Sequence, residues 1–328
     1  MKPAIIGVAG TALAPSERTL LTEARPLGVI LFARNIETPA QLAALTRDIR
    51  AVLGPDAAIM VDQEGGRVAR LRPPHWHAHP PSRRIGALYA HDPEAGRRAA
   101  WLTGALIGAQ CEAAGFTIVA APVLDVADPD GHDVIGDRAF SADPHAVAAL
   151  GGALARGLLA AGVQPVGKHA PGHGRARADS HLTLPVLDDV ADADLIPFRA
   201  NAWLPWLMTA HIRYTAMDML HPATQSAAII GGVVRATGFA GVLITDDLAM
   251  QALDGTPAAR AAAALAAGCD VALHCSGVLG ETRSMLEAIG PASSALSARL
   301  AAARRHAGAA RQALDVAALT AERAALLA

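Results

Sequence analysis

Gly241-Val242-Leu243-Ile244-Thr245-Asp246-Asp247 runs apolar without a break and then ends on two adjacent carboxylates. Continuous rather than alternating hydrophobicity marks a strand covered on both faces, as parallel strands beneath helices are. Seven further runs share the form, at residues 5–10, 28–32, 58–62, 116–122, 163–168, 207–211 and 271–275. Between them, alanine-rich stretches read as helices at 39–53, 92–114, 144–161, 257–267 and 279–289, several opened by a proline suited to a first turn. Eight strands with intervening helices and no compositional break predict an α/β fold, a single-domain (β/α)8 TIM barrel over residues 1–328 with some irregularity. Two closing helices are expected from about residue 293 onward. A doubly wound sheet would want a glycine-rich phosphate turn after the first strand, and Gly7-Val8-Ala9-Gly10-Thr11-Ala12 lacks that spacing.

The polar residues gather just after the strands: Asp62-Gln63-Glu64-Gly65-Gly66-Arg67, Asp125, Lys168-His169, His211 and Asp246-Asp247. In a barrel these share one rim, at the carboxyl ends of the strands, where catalytic groups sit. Any one of them alone reads as a helix cap. Five at one rim exceed what capping requires. Of Asp246 and Asp247, one can face a pocket while the other caps the following helix. Gly65-Gly66 and residues 73–81 mark long loops over the same rim.

Composition narrows the partners. A net charge of −2 with no long run of one sign argues against nucleic acid or an anionic membrane surface. At 3% aromatic residues, a broad aromatic platform for ligands is excluded. Cys111, Cys269 and Cys275 lack metal spacing and read as reduced structural thiols. The amino terminus carries no signal-peptide pattern, and no apolar stretch reaches the ~18 residues of a membrane span. A cytoplasmic chain is expected, and a monomer is the default because nothing in the sequence sets an oligomeric state.

The densest chemistry lies in Gly167-Lys168-His169-Ala170-Pro171-Gly172-His173-Gly174-Arg175-Ala176-Arg177-Ala178-Asp179-Ser180-His181. It leaves a buried strand, crosses a glycine-rich turn and ends in Asp-Ser-His. Asp179 can accept from one nitrogen of His181, leaving the other free for proton transfer.

With Val61-Asp62-Gln63-Glu64-Gly65-Gly66-Arg67-Val68 and Thr245-Asp246-Asp247-Leu248-Ala249-Met250, this loop resembles glycoside hydrolase family 3. More narrowly it is similar to the single-domain bacterial β-N-acetylhexosaminidases, and the likeness covers nearly the whole chain. The resemblance implies a retaining enzyme that removes terminal β-linked N-acetylglucosamine, with Asp246 as nucleophile, His181 as acid/base and Asp179 as its partner. It implies that Asp62, Arg70, Arg138, Lys168 and His169 hold the sugar, and that no metal or cofactor is needed. Cytoplasmic family members act on cell-wall fragments carrying 1,6-anhydro-N-acetylmuramic acid, which suggests a muropeptide substrate and peptidoglycan recycling. Ala170 stands where the family favours a bulkier residue, and Ala139 and Thr245 stand where it favours serine. None of these removes a catalytic group.

The chemistry suits these side chains. Retaining glycosidases need a nucleophile and a proton donor. A carboxylic acid donor must have its pKa raised, whereas an imidazole begins near ~6.5. The plain alternatives are a capping role for Asp246, a surface role for His181, a turn-stabilising ion pair for Arg138, and a solvated loop position for Arg70. His173, between two glycines, can simply fix the loop.

Four rival functions compete with this reading. A metal-dependent barrel hydrolase could draw on 13 histidines. However, His75 and His77 fall in a proline-rich loop, and Lys168 beside His169 makes a poor ligand pair. A Schiff-base aldolase would need Lys168 in an apolar pocket. A catalytically dead sugar-binding barrel would be expected to lack Asp246 or His181. A phosphorylase would use the same residues as the hydrolase, since a neutral histidine does not repel phosphate.

Overall fold

The structure is a computed structural model describing residues 1–328. Its core is a closed, all-parallel barrel of eight strands. They are β1 (Lys2–Gly7), β2 (Pro26–Leu31), β3 (Ala58–Val61), β4 (Ile118–Val119), β5 (Gln164–Ala170), β6 (Trp206–Thr209), β7 (Val242–Asp247) and β8 (Val271–His274). Each pairs with its neighbours in chain order, and β1 closes the ring against β8 with Ile5 opposite Leu273. Where β2 meets β3, a Cβ on Gly28 would stand 1.9 Å from the Ala58 carbonyl oxygen, so only glycine fits.

Alternation along the strands, hidden in the sequence by continuous apolar runs, becomes visible here. Ile30, Met60, Val166, Ile244 and Leu273 point into the barrel. Val29, Leu31, Ile59, Val61, Leu243 and Ala272 pack outward beneath the helices. Side chains two apart share a face. Extending the interior row by one step therefore delivers Phe32, Asp62, Lys168, Asp246 and Cys275 to the top of the barrel. The opposite end is plugged by Leu296, Leu300 and Ala303 of the helix Ser294–Ala310.

The helices begin where their sequence signals lie. Pro39, Pro93, Pro144 and Pro257 each open a helix, following Thr38, Asp92, Asp143 and Thr256, whose side chains accept backbone N–H groups of the first turn. The closing helices are Ser294–Ala310 and Val316–Leu326.

Several expectations need adjustment. The first strand lies at Lys2–Gly7 rather than 5–10, since beyond Gly7 side chains take up the backbone: Val8 O accepts from Arg34 and Asn35, and Ala9 N donates to Glu17. The fourth is regular only over Ile118–Val119. Beyond it the chain keeps irregular bonds to both neighbours, such as Ala120 N to Val61 O and Lys168 N to Pro122 O. Pro122 has no N–H to continue a ladder. Between β6 and β7 no full helix forms; Ala223–Thr237 is a chain of short turns that includes a π segment at Ile230–Val234. A short parallel ribbon, Val186–Leu187 with Arg213–Tyr214, ties the loop after β5 to the loop after β6. No helix is long and apolar enough to cross a membrane.

Candidate active site

A cavity of about 380 Å³ opens at the carboxyl ends of the strands. Asp62, Arg70, Arg138, Lys168, His169, His181 and Asp246 all line it. Asp179 does not; it stands behind His181. The residues singled out from the sequence therefore meet at one place, from segments as far apart as 62 and 246.

The floor is an ion-pair network. Lys168 Nζ donates to Asp62 Oδ1 at 3.0 Å and lies 2.6 Å from Glu64 Oε1. Arg138 grips Glu64 with two bonds of 2.8 Å each, and Arg70 Nη2 donates to Asp62 Oδ2 at 3.3 Å. Burial tends to raise the Glu64 carboxyl, but Arg138 and Lys168 outweigh it and hold its pKa at about 2. The same contest, won by Lys168 and Arg70, leaves Asp62 below its usual value. Arg138 therefore forms no ion pair within its own turn, although its Nη1 donates to the Val134 carbonyl at 2.9 Å. Asp137 is taken by Arg67 at 2.8 Å, and Arg138 reaches inward instead.

Asp246 is set differently. Its Oδ1 accepts the Asp247 backbone N–H at 2.8 Å, and its other oxygen has no protein partner. Burial works against its charge, but the fields of His169, His211 and Lys168 and that amide prevail, keeping it below the ordinary carboxylate range. Asp247 also borders the cavity, but its Oδ1 is engaged, accepting the amides of Ala249 and Cys275, both at 2.9 Å. This corrects the expectation that Asp247 caps a helix. It caps the turn that follows β7, and the next helix, from Pro257, is capped by Thr256.

One carboxylate organises the loop after β5. Asp125 Oδ1 accepts the backbone N–H of His169 at 3.1 Å and of His173 at 2.7 Å, while Oδ2 accepts from His169 Nδ1 at 2.7 Å. Burial would raise its pKa, yet His169 and these bonds pull it down to about 2. His173 Nε2 lies 3.0 Å from Ser180 Oγ, so His173 does fix the loop. Tyr214 OH donates to the Gly172 carbonyl at 2.7 Å. At the loop's end Asp179 Oδ1 accepts from both the backbone N and Nδ1 of His181, at 2.9 and 2.7 Å. The His181 side chain is 62% exposed, which places this pair at the cavity mouth and away from its packed floor.

Sequence reasoning gave no role to Glu64, Asp125 or His211. Glu64 lies two residues after Asp62 in the segment that leaves β3, and that spacing was the available signal. His211, buried, bonds Thr224 through Nδ1 and the Asp247 carbonyl through Nε2, bracing the carboxyl end of β7. No three His, Cys, Asp or Glu side chains converge as metal ligands would.

The network sets an acid limit on stability. Glu64 has a folded pKa below its usual 4.5, so its contribution is complete above that value and is lost as pH falls toward about 2. Glu64→Gln is expected to cost about 3–5 kcal/mol at neutral pH, the scale for breaking a buried ion pair. Its melting temperature should then fall less steeply with acid than the wild type's. Parallel thermal melts of both proteins across that range check this, and equal slopes would refute the assignment.

Residues 6–306 match the family described as "Glycosyl hydrolase family 3 N terminal domain". A β-hexosaminidase of Thiobacillus denitrificans is 44% identical over 283 residues, covering 84% of this chain and 78% of that one. The β-hexosaminidase of Alkalilimnicola ehrlichii is likewise 44% identical, covering 84% of this chain and 80% of its own. Among solved structures, native NagZ from Neisseria gonorrhoeae superposes with a TM-score of 0.88 at 32% identity, covering 100% of this chain and 98% of that one. The same protein in complex with N-trifluoroacetyl-D-glucosamine gives 0.87 at 32% identity, with the same coverage.

Proposed function

The chain belongs to glycosyl hydrolase family 3, and from that premise we propose that it is a retaining β-N-acetylhexosaminidase that releases terminal β-linked N-acetylglucosamine. The observation that carries this is Asp246. It is a charged carboxylate with a free oxygen at the floor of a cavity whose mouth holds an Asp-backed imidazole. The N-acylated glucosamine bound by the gonococcal relative and the names of the curated relatives support the sugar.

In this mechanism Asp246 attacks the anomeric carbon and forms a glycosyl ester. His181 gives a proton from Nε2 to the departing oxygen, and Asp179 stabilises the charged imidazole through Nδ1. In the second step His181 takes a proton from water, whose oxygen attacks the anomeric carbon and releases the Asp246 carboxylate. Two inversions give retention. Asp62 and Lys168 hold sugar hydroxyls, with Arg70, Arg138 and His169 completing the grip. The physiological substrate in this reading is N-acetylglucosaminyl-1,6-anhydro-N-acetylmuramic acid with or without its peptide, processed in the cytoplasm during peptidoglycan recycling. Residues 1–328 act as one catalytic unit, as a monomer.

Every role is filled by a side chain, so prolonged chelation is expected to leave the rate unchanged. The deciding assay follows an aryl N-acetyl-β-glucosaminide in phosphate buffer. Free N-acetylglucosamine should be the product at every phosphate concentration. Accumulation of the sugar 1-phosphate in proportion to phosphate would make the enzyme a phosphorylase, with water replaced in the second step. Loss of activity on chelation, restored by one metal, would overturn the cofactor-free mechanism.

A further inference from the structure

A second cavity, of about 250 Å³, lies outside the barrel between the loop at residues 73–81, the helix Pro93–Ala113 and the helix Val316–Leu326. Trp76 and Leu106 supply apolar wall, and Arg323 and Gln110 supply polar groups. Arg323 is only 9% exposed. Its Nη1 donates to His79 Nδ1 at 2.8 Å, and His79 Nε2 in turn donates to Gln110 Oε1 at 3.0 Å. That chain uses up the Gln110 oxygen and leaves its Nε2 buried with no acceptor.

No carboxylate balances Arg323. None lines the cavity. Its sequence neighbour Glu322 is held by Arg98 through two bonds, and Glu112 on the facing helix is held by Arg311 at 2.7 Å. Burial lowers the pKa of Arg323 with no acid raising it, and burial together with Arg323 pushes His79 down to about 4, so the imidazole is a neutral acceptor. A buried guanidinium without a counter-charge is costly, and structures keep few of them. Here the Gln110 amide, buried without an acceptor, and guanidinium N–H groups that no protein atom accepts border an apolar-walled hollow. Charge-assisted bonds to an incoming anion would satisfy both.

We propose that this cavity binds a small organic anion, whose carboxylate or phosphate meets Arg323 and the Gln110 amide while its apolar body lies along Trp76 and Leu106. The site is separate from the cleft that holds Asp246 but joined to it by the chain. His79 O accepts the Gly66 backbone N–H at 2.9 Å, and a Cβ on Gly65 would stand 2.4 Å from the Pro80 carbonyl oxygen. An occupant therefore rests on the loop that packs against the Glu64–Arg70 segment.

The test is a titration of the full-length enzyme with benzoate, phenyl phosphate and the neutral benzyl alcohol, in the presence of saturating N-acetylglucosamine. Binding is read by calorimetry and by tryptophan fluorescence. At least one anion should bind with 1:1 stoichiometry at millimolar affinity or tighter, and whether benzoate or phenyl phosphate does so identifies the head group. Benzyl alcohol should bind at least ~10-fold more weakly than that anion. Arg323→Met should weaken the anion by ~10-fold or more while leaving benzyl alcohol unchanged, and Trp76→Phe should remove the fluorescence response while keeping the heat. Should Arg323→Met not fold, Gln110→Leu tests the second donor, with an expected loss of about 3–10-fold. The proposal fails if neither anion binds by ~10 mM, if the folded variants bind as the wild type does, or if N-acetylglucosamine displaces the anion.

Discussion

Replacing Asp246 with alanine is expected to lower turnover by about 10⁴–10⁶-fold, the range seen when an enzyme loses its nucleophile, while the barrel stays folded. The fold should tolerate the change because Asp246 makes one internal bond, from a backbone amide, and no ion pair. Asp62 and Glu64, by contrast, are tied to Lys168, Arg70 and Arg138 and could not be removed without stranding a buried cation. A fluorinated N-acetylglucosaminide that forms its ester quickly and loses it slowly should label Asp246 in the wild type, and peptide mapping would locate it. Label on Asp247 would contradict the structure, because that carboxylate is engaged by the amides of Ala249 and Cys275. A circular-dichroism spectrum and melting curve close to wild type would separate lost chemistry from lost fold.

The second large effect falls on His181 and depends on what departs. Protonation matters when a sugar alkoxide leaves and matters little when an acidic phenol leaves unaided. His181→Ala should therefore slow cleavage of a natural disaccharide by ~10²–10⁴-fold in the first step, the usual scale for general acid catalysis. With an activated aryl glycoside the first step should be nearly spared, and breakdown of the glycosyl-enzyme should become limiting. A pre-steady-state burst of phenol would report that change. Asp179→Asn should follow the same pattern more mildly, because the amide can still meet the backbone N–H of His181 but no longer offers a charge to Nδ1. An equal loss on every leaving group would mean that His181 binds substrate or shapes the loop.

The eight strands were legible because each is buried on both faces and carries an unbroken apolar run. That same feature concealed which residues face inward. The apolar pattern alone could not rank Asp246 and Asp247; the family resemblance chose Asp246, and the physical reason lies in Val242 and Ile244 facing into the barrel with Leu243 beneath the helices. The helix Pro15–Ala24 escaped notice because few of its residues are apolar. Its signal was Glu17, which folds back to accept the Ala9 and Ala14 amides, both at 2.8 Å. Glu64 was overlooked for a different reason. Its significance comes from Arg138, 74 residues later, and Lys168, and no local pattern brings those three together. The Asp179–His181 pair was readable because both partners lie within three residues of chain.

Asp125 makes the loop after β5 portable. Two of the three N–H groups that Asp125 receives come from the main chain, at His169 and His173. Any residue but proline supplies such a group. Residues 182–184, which follow Ser180 and the Asp179–His181 pair, take no part in that anchor, so a segment of different length or charge there is expected to leave it in place. The ion-paired floor of Asp62, Glu64, Arg138 and Lys168 would stay as it is, and the mouth of the cavity would be re-engineered one loop at a time.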